Sequence, residues 1–243
     1  MSTELAAVMG GVFVAAFASG LAGFAFNLVA AGILFHFMAP QETAPVMVVG
    51  SLLIQGATLH VVRPHIRWAS IRPFVIGGAL GTPFGVIVLG QASAGAITVF
   101  IGALLVCYAG YMLSRIALRL APPVISAGQG ADTAVGFAGG ILGGIGGFSG
   151  ALPVMWGDLK GLRKEQARAI FQPYIVAMQV VAAVALFAGG FFTRDSVILL
   201  GSILPALALG TWLGLRAYRA IPAEGFRVVL LGLLLLSGLS LVI

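Results

Sequence analysis

Gly136-Phe-Ala-Gly-Gly-Ile-Leu-Gly-Gly-Ile-Gly-Gly-Phe-Ser-Gly-Ala-Leu-Pro153 lies within an apolar segment that runs from Thr133 to Gly157. Eight of its eighteen residues are glycine, and a proline closes it. Each glycine in a helix interior costs about 1 kcal/mol relative to alanine, so an unbroken helix here is unfavourable. In a bilayer, broken backbone persists only where protein or a water-filled cavity satisfies its polar groups. The stretch therefore reads as a helical hairpin with an unwound, inward-facing tip. A weaker copy precedes it, Phe17-Ala-Ser-Gly-Leu-Ala-Gly-Phe-Ala-Phe-Asn-Leu-Val-Ala-Ala-Gly-Ile33.

The rest of the chain supplies the setting such a hairpin needs. Of 243 residues, 60% are hydrophobic and only 8% charged, and the mean hydropathy is +1.11. A soluble domain of this size could not cover its surface with so little polar material, which leaves a polytopic α-helical membrane protein. The net charge of +6 lies in short loops, where it reads as a topology signal and not as a nucleic-acid footprint. Cys107 is the single cysteine and sits in an apolar span, which excludes a disulfide framework and a cysteine metal site. No cleaved signal peptide is expected, since the start lacks a basic region ahead of its apolar run. No nucleotide-binding loop and no cofactor motif is evident.

The chain divides into a first membrane repeat (1–120), a linker (121–131) and a second repeat (132–243). After the first glycine-broken segment come apolar spans at about Thr43–Val62, Ile71–Leu89 and Gly95–Ile116. After the second come spans at about Ala167–Gly189, Ser196–Leu215 and Phe226–Ile243. Phe17-Ala-Ser-Gly-Leu-Ala-Gly aligns with Phe137-Ala-Gly-Gly-Ile-Leu-Gly, and Gly81-Thr-Pro-Phe-Gly85 with Gly210-Thr-Trp-Leu-Gly214. Gly102 and Gly232 extend the match. Weak internal symmetry of this kind marks many secondary transporters.

Charge then chooses between two topologies. If each glycine-rich segment crosses the membrane once, the Lys and Arg residues split six against seven and show no bias. If each enters and returns, the loops at 63–72, 115–119, 160–168 and 216–227 share one face, and only Arg194 of the thirteen cations is opposite. The positive-inside rule selects the second arrangement and puts both termini on the non-cytoplasmic side of the cell inner membrane. The expected fold is thus all-α, with two inverted repeats, each a glycine-broken hairpin plus three transmembrane helices.

No carboxylate falls in mid-span: Glu4, Glu42, Asp132, Asp158, Glu165, Asp195 and Glu224 all lie at segment ends. That disfavours a cation pathway and a carboxylate proton relay. A site of neutral polar groups and backbone remains, and helix N-termini at hairpin tips suit anions. Asn27 and Ser149 hold neighbouring positions in the two motifs. Each either donates to a ligand or satisfies its own unwound backbone. Gly146 and Gly147 either expose N–H groups or serve close helix packing. Gln172 and Gln179 are seven apart and share a helix face around Pro173, with Tyr174 beside them. Gln55 is the corresponding polar group of the first half. Ser51 and Thr58 accompany it, as hydroxyls bonded to their own helix. Thr82 and Thr211 occupy matching positions. His36, His60, His65 and Arg168 read as interfacial residues, and three histidines without partners make no metal site.

Gly143-Gly-Ile-Gly-Gly-Phe-Ser-Gly-Ala-Leu-Pro153, its copy from Gly20, and His60-Val-Val-Arg-Pro-His-Ile-Arg-Trp68 resemble the sulfite exporter TauE/SafE family of membrane transporters. The resemblance covers essentially the whole chain. Phe24, Phe26 and Asn27 depart from it, standing where glycines are usual. It implies export or import of a small sulfur-containing anion such as sulfite, sulfoacetate or another organosulfonate. The expectation is a secondary transporter that binds this anion between two hairpin tips near the bilayer midplane and works by alternating access. The alternative is an anion channel or passive facilitator. An intramembrane serine protease using Gly147-Phe-Ser-Gly150 is disfavoured, because no histidine follows residue 65 to act as base. The expected partners are the anion and membrane lipid, without nucleic acid. The coupling ion, proton or sodium, and the oligomeric state have no signature in the sequence.

Overall fold

The computed structural model describes residues 2–22, 25–62, 66–118, 125–218 and 223–243. Among them it has ten helices: α1 (Ser2–Ala22), α2 (Phe26–Leu34), α3 (Pro40–Val62), α4 (Trp68–Gln91), α5 (Ala94–Ala117), α6 (Gln129–Gly146), α7 (Ala151–Leu159), α8 (Lys164–Ala188), α9 (Arg194–Tyr218) and α10 (Ala223–Val242). Five stretches, Pro40–Leu59, Trp68–Gln91, Ala94–Ala117, Glu165–Ala188 and Arg194–Ala217, are long and apolar enough to cross a membrane. The chain is an all-α polytopic membrane protein. Several residues named from sequence lie outside the described residues: Gly23, Phe24, Arg63, His65, Arg119, Arg219 and positions 121–124 of the linker, together with the side chains of His60, Lys164, Glu224 and Arg227. The last three linker positions are helical, since α6 opens at Gln129.

The second glycine-rich segment breaks where expected, between α6 and α7; in the first, α1 ends at Ala22 and α2 begins at Phe26, and α2 and α7 are each only nine residues long. The second segment returns to the level at which it began. Asp132, in the first turn of α6, accepts from Trp156 Nε1 at 2.7 Å and pairs with Lys160 Nζ at 2.9 Å. Ile125 N–H donates to Leu159 O at 3.0 Å just outside that clasp. The first segment folds back too: a Cβ on Gly11 of α1 would stand 2.7 Å from Ile33 Cγ2 of α2.

The helices form two compact units, and each draws on both halves of the sequence. The first comprises residues 1–50, 92–120 and 193–243. In it α1 packs on α9 through small residues: a Cβ on Gly20 would lie 2.9 Å from Gly214 Cα, and one on Gly210 would lie 2.9 Å from Ala16 Cβ. Helix α5 meets α10 at Gly102 and Gly238, each of which would place a Cβ within 2.9 Å of the other's carbonyl oxygen. Gly232, matched to Gly102 in sequence, faces open space. Ser237 Oγ donates to Gly32 O and His36 Nε2 bonds Ser240 Oγ at 2.9 Å, which ties the end of α2 to α10.

The second unit comprises residues 51–91 and 121–192. Here Gly77, Gly81 and Gly85 of α4 face the backbone of Thr133, Phe137 and Ile141 of α6. Gly136, Gly140 and Gly144 of α6 face the backbone of Phe74, Gly78 and Thr82 of α4, so closely that a Cβ on Gly140 would lie 2.7 Å from Gly78 Cα. Rows of glycine four apart let helix backbones approach and gain dispersion contacts where lipid offers no hydrophobic drive. Phe74 of α4 then meets Phe171 and Tyr174 of α8 edge-on, at 5.5 and 6.1 Å between centroids. The motifs matched in sequence thus do matching work. Gly81–Gly85 covers α6 and Gly210–Gly214 covers α1, each the opening helix of the other half. Thr82 and Thr211 each donate to the carbonyl four residues back, at 2.8 and 2.7 Å.

Candidate functional site

Gly147 builds the tip of the second hairpin. Its backbone is left-handed, with φ 79° and ψ 15°, a conformation glycine adopts without the steric cost a Cβ would bring. Its N–H donates to Gly143 O at 2.7 Å, and the Phe148 N–H donates to Leu142 O at 3.2 Å. The chain turns through Ser149 and Gly150 into α7. Ser149 rests on α6 because Gly143 has no side chain; a Cβ there would stand 3.1 Å from Ser149 Cβ. The Phe148 ring occupies the place of a side chain at Gly146, 2.6 Å from where its Cβ would be. Gly146 therefore serves the packing of the tip.

Two polar stripes meet this tip. Ser51, Gln55 and Thr58 follow one face of α3, and Gln172 and Gln179 follow one face of α8. Gln172 Nε2 donates to Thr58 Oγ1 at 2.8 Å and to Gln55 O at 3.4 Å. Gln179 Nε2 donates to Ser51 Oγ at 3.1 Å and to Gly147 O at 2.9 Å. The numbers rise along α3 as they fall along α8, so the stripes run antiparallel and Gln55 lies between the two rungs.

Ser149 and Gln179 are 0% exposed, Gln55 1% and Gln172 2%. Among the described residues, Gln55 Nε2, Gln55 Oε1, Gln179 Oε1 and Ser149 Oγ are buried without a hydrogen-bond partner. The orientation of the Gln179 amide is fixed by chemistry. The Gly147 carbonyl can only accept, so nitrogen faces it and the Gln179 carbonyl is left over. An unsatisfied buried polar atom costs about 1–3 kcal/mol. Four of them in one unit, on the tip and on the stripes that meet it, are a cost that packing does not require and that a polar ligand would offset.

Arg168 extends the stripe on α8, donating from Nε to Gln172 Oε1 at 3.1 Å. From Arg168 to Gln179 is about 16 Å along the helix axis. Tyr174 points elsewhere: its hydroxyl donates to Gly136 O at 3.0 Å and holds α8 to α6. Asn27 is buried in the first turn of α2 and belongs to the first unit.

Sequence reasoning undervalued three residues here. Thr58 does bond its own helix, at 3.0 Å to Ile54 O, but it also accepts from Gln172. Ser51 accepts from Gln179, and Arg168 is joined to the stripe instead of standing alone at a helix end. Their spacing with Gln55 and Gln172 was the available signal.

The family model for Sulfite exporter TauE/SafE matches residues 8–241. The chain belongs to the TauE/SafE family. No curated protein and no solved structure shows significant similarity to it. Membership makes this TauE/SafE chain a member of a membrane transporter family whose characteristic cargo is a sulfur-containing anion.

Proposed function

We propose that this chain is a secondary transporter of the cell inner membrane that exports a small sulfur-containing anion, such as sulfite, sulfoacetate or another organosulfonate. The tip of the second hairpin and the α3 and α8 stripes supply the contacts. Gln55 and Ser149 act as donors to the anion, and Gln172, Gln179, Ser51 and Thr58 hold the surrounding frame. The start of α7 adds the positive end of a helix dipole. Asn27 is the corresponding polar group of the first hairpin, and the two halves are inverted repeats with both termini non-cytoplasmic. The family match supports the substrate class. The observation that carries the site is the cluster of buried, unpartnered polar atoms in the second unit.

The same burial supports alternating access. Groups that are 0–2% exposed meet an anion only after a conformational change, whereas a passive channel keeps its polar lining wet. Flux of labelled sulfite in proteoliposomes tests the proposal. The native chain should move sulfite with saturation, and Ser149→Leu should slow it at least about tenfold while still folding. A linear, unsaturable flux, or a normal flux in Ser149→Leu, would refute it.

A further inference from the structure

The four unpartnered atoms of the second unit specify more than negative charge. Gln55 Nε2 offers two N–H donors and Ser149 Oγ one O–H. Gln55 Oε1 and Gln179 Oε1 are carbonyl oxygens and only accept. For Gln55 this inventory does not depend on how the amide is turned, because both of its atoms lack partners among the described residues. For Gln179 it follows from the bond to the Gly147 carbonyl.

A ligand made only of acceptor oxygens would satisfy the donors and set its own oxygens against two buried carbonyls. Those carbonyls would stay unpaired and would repel it. A ligand that also carries an N–H or O–H would satisfy both kinds of group. Charge points the same way. Among the described residues the cluster holds no cation of its own, and Arg168 joins it through Gln172. Neutral dipoles compensate one negative charge far more readily than two in a buried site.

We infer that the site takes a singly charged oxyanion bearing at least one hydrogen-bond donor, of the hydrogensulfite type. The inference rests on the anion reading above and narrows it: fully deprotonated dianions, and sulfonates without a donor, fall outside. Gln55 and Gln179 are then the specificity-determining residues, through their carbonyls.

Three ions of nearly one shape separate the possibilities. Sulfamate is a monoanion with N–H donors, methanesulfonate is a monoanion without any, and sulfate is a dianion without any. Their affinities for the purified full chain, with sulfite alongside, are measured by calorimetry at one neutral pH. Sulfamate should bind at least about tenfold more tightly than the other two, because a site built to pair a ligand donor discriminates strongly against its absence. In Gln179→Met, which keeps side-chain length and removes the acceptor together with the donor to Ser51 and the Gly147 carbonyl, that preference should narrow. A difference under tenfold in the native chain overturns the donor requirement and leaves the anion site standing. Absence of sulfamate binding also overturns it, and if sulfite fails as well, the anion reading falls with it.

Discussion

Gln55 is an amide in the place where a protein selected for stability alone would carry leucine. Both of its polar atoms are buried and lack partners among the described residues. Replacing such a group with an apolar side chain of similar size is neutral or stabilising, since about 1–3 kcal/mol of desolvation cost per atom disappears. Gln55→Leu should therefore hold or raise the melting temperature of the purified chain while lowering sulfite flux at least about tenfold. A fall in both, seen by thermal unfolding and flux side by side, would make Gln55 structural. The sequence shows that Gln172 and Gln179 share a face, because helical spacing is written in it. It does not show that their partners are Thr58, Ser51 and Gly147, because cross-helix pairing depends on which helices meet. Nor does it show that Tyr174, two residues from Gln172, is spent on Gly136 O.

At the scale of the element, the α6–α7 hairpin is held at both ends. Gly147 closes the tip, and Asp132 with Trp156 and Lys160 closes the base. The side chains of Lys160 and Asp132 are 21% and 11% exposed, between the surface pairs that contribute under about 1 kcal/mol and the buried pairs whose disruption costs about 3–5 kcal/mol. Asp132→Asn should accordingly destabilise the chain by roughly 1–3 kcal/mol, read as a lowered unfolding midpoint that bound sulfite partly restores. An unchanged midpoint would show that the clasp does not hold the hairpin. The break itself was legible, because eight glycines in eighteen residues cannot make a cheap helix. The return of the segment was legible only through charge in distant loops. The clasp that realises it joins residues whose proximity no local pattern encodes.

For the whole molecule, each compact unit is assembled from both halves of the sequence. Helix α4 needs α6 against its glycine row, and α1 needs α9. Residues 1–128 or 129–243 expressed alone should therefore aggregate or be degraded, while the two coexpressed should recover a folded, sulfite-transporting protein. A stable, monodisperse fragment 129–243 would show that the exchange of helices is dispensable. The repetition of motifs was readable in advance. The exchange of opening helices between halves was not, because glycine rows declare that a partner comes close without declaring which partner. The central claim, an anion site at the second hairpin tip, is tested most directly by thermal stabilisation of the purified chain with sulfite, beside acetate and nitrate. At about a hundred times its dissociation constant, sulfite should add roughly 2.7 kcal/mol to the native chain, little to Ser149→Leu, and acetate and nitrate should add nothing. Equal stabilisation of Ser149→Leu, or none of the native chain, would contradict the account.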